Sequence, residues 1–241
     1  MNRLNRTLVL VALLGVAGAA QAQFSSTVTA VSDYDFRGVS LSARDPALQA
    51  SLDYAFGETG FSVGAWASNI DYGSDVDGTL EVDLYAGYEA SVNDDLSWNA
   101  GLVWYTYPGS DNTATRSKIS SYPELSVGID WKGLGLKQWY AIDYGGSNDD
   151  ALYTEANYTF GLPQNFSLTL HAGYSYGDAF DAFDGEYLDY GVTVGVDVGQ
   201  FSLALKFTGT DYSGANKVTD DVFNNEARVL FSVSTTFPWS E

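Results

Sequence analysis

The feature that most constrains this chain is a period-two alternation of apolar and polar residues, which recurs in segments about ten residues long. In one such segment Leu80, Val82 and Leu84 are apolar, whereas the intervening Glu81 and Asp83 are acidic. Successive side chains of a β-strand point to opposite faces, so the alternation indicates strands with one apolar face. No segment shows a sustained helical stripe. The pattern therefore predicts an all-β chain.

The same alternation divides the chain into twelve predicted strands. They span residues 24–36, 46–56, 60–69, 79–91, 95–107, 121–131, 136–145, 151–160, 166–176, 186–198, 200–211 and 226–237. Most are close to the length of about 9–11 residues that a tilted strand needs to cross a bilayer. Short connections alternate with long ones, as in outer-membrane barrels, where periplasmic turns are short and outer loops are long. We therefore expect a transmembrane, antiparallel, up-and-down β-barrel of about twelve strands.

Aromatic residues are abundant, with 17 Tyr, 13 Phe and 6 Trp, and many of them fall near the predicted strand ends. This placement is typical of the aromatic girdles that flank the apolar band of a membrane barrel. A water-soluble β-sandwich is the alternative, because alternation alone does not say whether the apolar face meets lipid or a second sheet.

The N-terminal segment has the pattern of a secretory signal peptide. Arg3 and Arg6 precede an apolar run that ends in small residues before Gln23. We expect residues 1–22 to be cleaved and residues 23–241 to form the barrel in the outer membrane of a Gram-negative cell. An uncleaved anchor is the alternative, although the run is shorter than the roughly 20 residues of a membrane-spanning helix.

Charge and cysteine content exclude several classes of function. The mature chain would lose two of eleven basic residues and none of the thirty-one acidic ones, so its formal charge would move from -20 to -22. A chain this acidic is not expected to bind nucleic acid. Cysteine is absent, which excludes disulfides, thiolate metal sites and a cysteine nucleophile.

Residues that could carry chemistry are few, and we predict neither an enzyme nor a cofactor. The single histidine, His171, falls on the polar face of its strand, and no neighbouring serine is marked as activated. The acidic loops lack the ligand order of a known calcium loop. They are expected to be solvated or bridged to lipopolysaccharide by divalent ions rather than to form a dedicated metal site.

The polar faces of the strands would line the lumen, and they are rich in acids. The candidate lumen and selectivity residues are Asp33, Asp35, Arg37, Asp53, Glu81, Asp83, Glu124, Asp143, Glu155, Asp189, Lys206 and Arg228, with Glu89, Asp130, Lys137, Asp197 and Glu226 also inward. Acids outnumber bases about three to one in this set. Because so few bases cannot pair all the carboxylates, we expect hydrated acids and a wet lumen.

The bases of the lumen are predicted to form a seam at the outer mouth. Arg37 would end the first strand and Arg228 would begin the last, so barrel closure would make them neighbours. Glu124 and Asp143 would lie opposite, which would set a transverse field across the constriction. The alternative is that Arg37 pairs locally with Asp35 or Glu226.

Residues 30–90 carry a series of short motifs in a distinctive order. The series runs Ser32-Asp33-Tyr34, Phe36-Arg37-Gly38, Ser40, Ser42, Pro46-Ala47-Leu48-Gln49, Asp53-Tyr54, Gly60-Phe61, Val63-Gly64, Trp66, Ser68-Asn69, Glu81, Asp83 and Gly87-Tyr88. In this region the chain resembles the TorF-like family of outer-membrane porins. The resemblance implies a porin-like role and names no substrate.

Together these observations predict a passive, cation-preferring diffusion channel for small hydrophilic solutes, surrounded by membrane lipid and lipopolysaccharide. The alternative is a non-conducting barrel with a structural or surface-binding role. Its lumen would be plugged by aromatic side chains, namely Trp66, Trp139, Tyr85, Tyr105 and Tyr153.

Overall fold

The computed structural model describes residues 24–182 and 185–239, so the predicted signal peptide at residues 1–22 lies outside the described residues. Twelve long strands make up most of the fold. They are β1 (Phe24–Val31), β2 (Ala47–Ala55), β3 (Phe61–Asn69), β4 (Leu80–Asn93), β5 (Leu96–Thr106), β6 (Tyr122–Trp131), β7 (Leu134–Ala141), β8 (Ala151–Gly161), β9 (Phe166–Tyr176), β10 (Tyr187–Val198), β11 (Phe201–Thr210) and β12 (Arg228–Phe237).

These strands form one closed barrel. Each strand pairs antiparallel with its neighbours in the sequence, and β1 pairs with β12 to close the ladder, with Ser26 opposite Phe237. The predicted fold class and strand number are confirmed. Closure leaves no unpaired sheet edge, which is the condition for a sheet to lie in lipid.

Two of the predicted strand ends are wrong. The first strand was expected to reach Phe36 but ends at Val31, and the seventh was expected to reach residue 145 but ends at Ala141. In both places polar and apolar residues go on alternating after the ladder stops. Alternation alone therefore does not mark where a strand leaves the wall of a barrel.

The outer face of the barrel is apolar along its whole circumference. Leu48, Leu84, Val127, Leu205 and Val229 are each more than half exposed on it. Soluble monomers rarely expose continuous apolar surface of more than a few hundred Å². No second sheet covers this face among the described residues, so the β-sandwich alternative is wrong and the face suits a lipid environment.

The connections at the two ends of the barrel differ in length. At one end they are tight turns, such as residues 94–95 and 132–133, and both ends of the described chain lie there. At the other end six longer connections carry most of the remaining elements, including a short parallel pair (Val76–Asp77 with Ser117–Lys118) and the helix α1 (Asp178–Ala182). None of the helices in the described part has the length and apolar character needed to span a membrane. We call the two ends the short-turn end and the loop end.

Candidate functional site in the lumen

An inner hairpin crosses the lumen near the loop end. After β1 the chain turns inward, and Asp35–Phe36 pairs with Val39–Ser40 around the turn residues Arg37 and Gly38. Both turn residues have positive φ, 51° at Arg37 and 82° at Gly38, as a two-residue hairpin turn of type I′ requires. The expectation that Asp33, Asp35 and Arg37 lie on the wall of the first strand is therefore wrong. They belong to a segment folded inside the barrel.

The tip of the inner hairpin is held by a bidentate ion pair. Arg37 Nη1 donates to Glu124 Oε1 at 3.0 Å, and Nη2 donates to Oε2 at 2.7 Å, with both side chains almost fully buried. The guanidinium carbon also lies 4.7 Å from the ring centroid of Phe36 and 4.2 Å from that of Tyr153. Arg37 thus bridges to β6 on the wall, instead of facing it across an open gap or pairing with Asp35 or Glu226.

The root of the inner hairpin is fastened by two bases of the wall. Arg228 Nε donates to Asp33 Oδ2 at 2.7 Å, and its Nη2 donates to Asp35. Lys206 Nζ lies 2.7 Å from Asp35 Oδ2. Arg228 Nη1 also donates to the Gly38 carbonyl oxygen at 2.8 Å, so the same side chain binds the turn of the hairpin as well. The basic seam predicted from Arg37 and Arg228 does not form as expected, because Arg228 binds the root of the inner hairpin whereas the Arg37 guanidinium pairs with Glu124 on β6.

Two carboxylates of β4 lie beside the inner hairpin with part of their hydrogen-bonding capacity unused. Glu81 is 1% exposed and accepts a hydrogen bond from Tyr34 Oη at 3.2 Å through Oε1. Glu81 Oε2 and Asp83 Oδ1 have no hydrogen-bond donor among the described residues apart from each other's carboxyl group. A buried polar atom without a partner is costly, so these atoms mark a position where a polar group is needed.

A third buried cluster joins β8, β9 and β10. Asp189 Oδ1 lies 2.7 Å from His171 Nε2 and accepts a hydrogen bond from Tyr153 Oη at 3.2 Å. Gly173 lies against the same tyrosine and aspartate, and a Cβ there would overlap the Tyr153 hydroxyl. His171 is therefore part of a polar network on the lumen wall.

Asp143 and Glu226, expected to line the wall, lie in loops. Asp143 comes after the end of β7 and accepts a hydrogen bond from the Asn148 amide at 2.8 Å. Glu226 precedes β12 and pairs with Lys217 at 3.3 Å. The chain leaves the ladder before each of these positions, so neither carboxylate belongs to the constriction.

The half of the lumen toward the short-turn end is polar and contains cavities. One cavity of about 440 Å³ is lined by Tyr85, Glu89, Asn99 and Lys137, among others. A second, of about 290 Å³, lies around Asp130 and Glu155. The inward acids of this half are Asp53, Glu89, Asp130, Glu155 and Asp197, and Lys137 is the one lysine or arginine that faces them in the described strands.

The carboxylates of this half that are bonded at all use neutral partners. Trp139 Nε1 donates to Glu155 Oε1 at 2.9 Å, and Asn99 Nδ2 donates to Asp130 Oδ2 at 3.2 Å. Lys137 lies over the ring of Trp139 at 4.2 Å. Acids in this region therefore keep their charge largely uncompensated by bases.

An aromatic chamber of about 410 Å³ occupies the loop end, above the inner hairpin. Ten of its nineteen lining side chains are Tyr or Phe, contributed by the inner hairpin, the upper wall and the long loops. Consecutive rings contact one another, as in Tyr105–Tyr122 at 4.8 Å and Tyr187–Tyr212 at 4.5 Å between centroids. Glu81 also reaches this chamber. The chamber could not be predicted from the strand pattern, because most of its rings lie outside the barrel strands.

The chamber is lined by neutral phenols. Burial raises the pKa of Tyr72, Tyr107 and Tyr144, three loop residues of the lining, so they remain protonated at neutral pH. Of the aromatics expected to plug the lumen, Tyr105 and Tyr153 are buried at this level. Trp66, Trp139 and Tyr85 are only partly buried. Among the described residues, no group of three or more acidic or histidine side chains is arranged to hold a metal ion.

Solved structures with the same architecture include porins. The chain superposes on the NanC porin with a TM-score of 0.56 at 10% identity, covering 88% of this chain and 98% of that one. It superposes on the KdgM porin with a TM-score of 0.52 at 10% identity, covering 90% and 99%. A second KdgM structure, in complex with disordered oligogalacturonate, gives 0.50 at 10% identity, covering 90% and 99%. At this identity the likeness is one of fold.

Comparison with curated protein sequences gives no match. A family model described as a bacterial protein of unknown function (Gcw_chp) matches residues 16–237. This match spans the whole barrel, and the chain therefore belongs to the Gcw_chp family.

Proposed function

We propose that this protein is an outer-membrane porin-like channel for small hydrophilic solutes, exported behind a signal peptide at residues 1–22 that is then removed. The observation that carries the proposal is the inner hairpin, which is folded across the lumen and held to the wall by charged side chains. Rings of charged side chains at a narrow level are a recurrent way to select solutes in a pore. The shared fold with KdgM and NanC, and the resemblance of residues 30–90 to TorF-like porins, support the same function.

The charge of the lumen supports a preference for cations. The short-turn half has five inward acids and one inward lysine in the described strands, and none of these acids forms an ion pair with a lumen base. Such an excess attracts cations and repels anions along the path. Oligogalacturonate, the acidic oligosaccharide in the KdgM complex, belongs to a class of solute that this lumen is expected to disfavour.

Planar-bilayer recording of the refolded mature protein tests the proposal. We expect discrete conductance steps and, in a salt gradient, a reversal potential with the sign of cation selectivity. Strict anion selectivity would overturn the cation preference. Silence at every voltage would overturn the channel.

The inner hairpin is tested by Arg37→Ala, with Arg44→Ala as the matched control. Arg37 anchors the tip of the hairpin to Glu124, so its loss should raise conductance and cation preference together. Arg44 belongs to the same connection, but its side chain is 46% exposed and forms only a long ion pair, 3.8 Å from Asp221. Arg44→Ala should therefore conduct like the wild type. Unchanged current in Arg37→Ala with lowered heat resistance would assign Arg37 a structural role only.

A second candidate function is a non-conducting barrel with a structural or surface-binding role, contacting membrane lipid and lipopolysaccharide. The observation that favours it is the dense filling of the loop-end half. Tyr34, Leu41, Ala47 and Ile70 form one buried apolar cluster there, and the rings beneath the loops form another. The silent recording described above is the result that this candidate predicts.

A further inference from the structure

The aromatic chamber has the size and lining of a ligand site. Its volume of about 410 Å³ falls within the range of about 300–1,000 Å³ that is usual for small-molecule pockets. Rings line it on several sides: Tyr122 and Tyr144 lie 5.2 Å apart, Tyr144 and Phe180 5.5 Å, and Tyr72 and Phe223 4.8 Å, between centroids. A ligand in the chamber would therefore meet ring faces and edges from different loops.

One charged side chain reaches the chamber from the wall. Glu81 is the single Asp, Glu, His, Lys or Arg among the described lining residues, and it is 1% exposed. Its Oε1 already accepts a hydrogen bond from the Tyr34 hydroxyl, whereas its Oε2 has no donor among the described residues apart from the neighbouring carboxyl group of Asp83. Asp83, on the same face of β4, likewise has an Oδ1 with no donor among the described residues other than the Glu81 carboxyl group. The acceptor capacity at this point exceeds what the described part of the protein satisfies.

We propose that the chamber binds a small organic cation, with an ammonium group against Glu81 and an apolar body among the rings. Aromatic faces attract cations through their ring quadrupoles, and the attraction grows when water is excluded. An ammonium group beside a buried carboxylate oxygen donates an N–H hydrogen bond to it and supplies the opposite charge at the same time. The sites around Arg37 show that this barrel already uses the same chemistry, since that guanidinium lies over two rings and against Glu124.

A neutral saccharide fits the lining less well. Saccharides need several hydrogen-bond partners distributed around the ring, whereas the exposed surface of this lining is mostly apolar, with Glu81, Asn216, Asn225, Ser120 and the tyrosine hydroxyls as its polar groups. An anion is disfavoured because the one carboxyl group of the described lining is that of Glu81. The inference does not depend on conduction, because a plugged barrel would offer the same chamber.

Calorimetric titration of the detergent-solubilised barrel tests the site, with protein-free micelles as the blank. The probes are phenethylammonium and 2-phenylethanol, which share an apolar body and differ in carrying –NH₃⁺ or –OH. We expect saturable 1:1 binding of phenethylammonium and at least tenfold weaker binding of 2-phenylethanol. Equal affinity for the two probes, or no saturable binding of the amine, would overturn the proposal.

One substitution locates the binding and one controls for charge. Glu81→Gln should weaken phenethylammonium at least tenfold and leave 2-phenylethanol nearly unchanged. Asp75→Asn removes one carboxylate from an exposed position in a loop-end connection and should leave both affinities unchanged. An equal loss in Asp75→Asn and Glu81→Gln would mean that only the general negative potential attracts the amine, and would overturn the site.

If Glu81→Gln does not fold into a barrel that resists dodecyl sulfate until it is heated, Tyr72→Leu replaces it. Tyr72 lies in a loop, where its ring contacts Phe223, and it takes no part in the strand ladder. Removing this ring should weaken phenethylammonium at least threefold with a smaller effect on the alcohol. Unchanged affinity for the amine would contradict the aromatic cage.

Discussion

The two halves of the lumen share one wall and differ in how they are filled. Toward the short-turn end, carboxylates such as Glu89 line polar cavities and lack basic partners. Toward the loop end, carboxylates such as Asp33 and Glu124 are almost fully buried, and arginines pair with them. Both halves follow the same inward and outward alternation. The difference arises from residues 32–46, the connection after β1, which folds inward and brings a hairpin into one half only.

This difference shows how the same type of side chain has two energetic roles in one barrel. A carboxylate beside water keeps its hydration and needs no base, whereas a buried one must be paired or hydrogen-bonded. Substitutions should therefore be costly in the loop-end half and cheap in the short-turn half. The predictions that follow test this contrast.

Arg228→Ala should have the largest effect on stability. It would leave the buried carboxylates of Asp33 and Asp35 with Lys206 as the one base still paired with them. Removing one partner of a buried ion pair costs about 3–5 kcal/mol. Urea unfolding of the barrel in lipid vesicles measures the change. The matched control is Lys137→Ala in the short-turn half, which loses a contact with Trp139 worth about 0.5–1 kcal/mol. Similar losses in the two variants would contradict the contrast between the halves.

Leu84→Arg tests the wall that both halves share. Leu84 is 55% exposed on the outer face of β4, and an arginine on the lipid face of a barrel costs about 2–4 kcal/mol at the bilayer midplane. Two measurements compare the variants: whether the unheated protein runs as a folded barrel on a dodecyl-sulfate gel and shifts after boiling, and its free energy of unfolding in urea. Glu89→Arg places the same side chain on the inner face of the same strand, in the wet half, and should fold normally. Normal folding of Leu84→Arg would place its side chain in the lumen.

Glu155→Gln should have the smallest effect on stability and a measurable effect on selectivity. The amide oxygen can still accept from Trp139 Nε1, and only the hydrogen bond from Asn157 Nδ2 is lost, so the free energy of unfolding should change by no more than about 1 kcal/mol. One negative charge is lost from the lumen, so the reversal potential should move toward zero. Glu58→Gln removes the same charge from a turn outside the lumen and serves as the control. Equal shifts of the reversal potential in the two variants would show that Glu155 does not lie on the path of the ions.

The wall could be predicted from the sequence because it obeys one local rule. Each strand faces lipid on one side and the polar lumen on the other, so apolar and polar residues must alternate along it. The number and order of the strands, and which residues point inward, therefore follow from the pattern. The same rule places Glu81, Glu124 and Asp189 on the inner face, where the structure has them. It fails at Asp33–Arg37, where alternating residues form a hairpin inside the barrel.

The contacts inside the lumen could not be predicted, since they join residues far apart in the chain. Arg37 and Glu124 are 87 residues apart, and Arg228 and Asp33 are 195 apart. No local pattern specifies such pairs. One local signal was present: Arg37-Gly38 with Val39 after it is compatible with a two-residue hairpin turn, whose second position favours glycine. The chamber had no comparable signal, because its rings come from several different loops.

The most direct test of the two-compartment lumen uses two serines on the inner face of β3. Ser62 lines the polar cavity of the short-turn half, whereas Ser68, six residues further along the same strand and near the loop end, is 1% exposed. The chain has no native cysteine, so Ser62→Cys and Ser68→Cys each carry a single thiol. The measurement is the rate at which a charged, water-soluble methanethiosulfonate modifies each variant in lipid vesicles. We expect rapid modification at position 62 and strong protection at position 68. Equal rates would contradict a lumen divided by the inner hairpin.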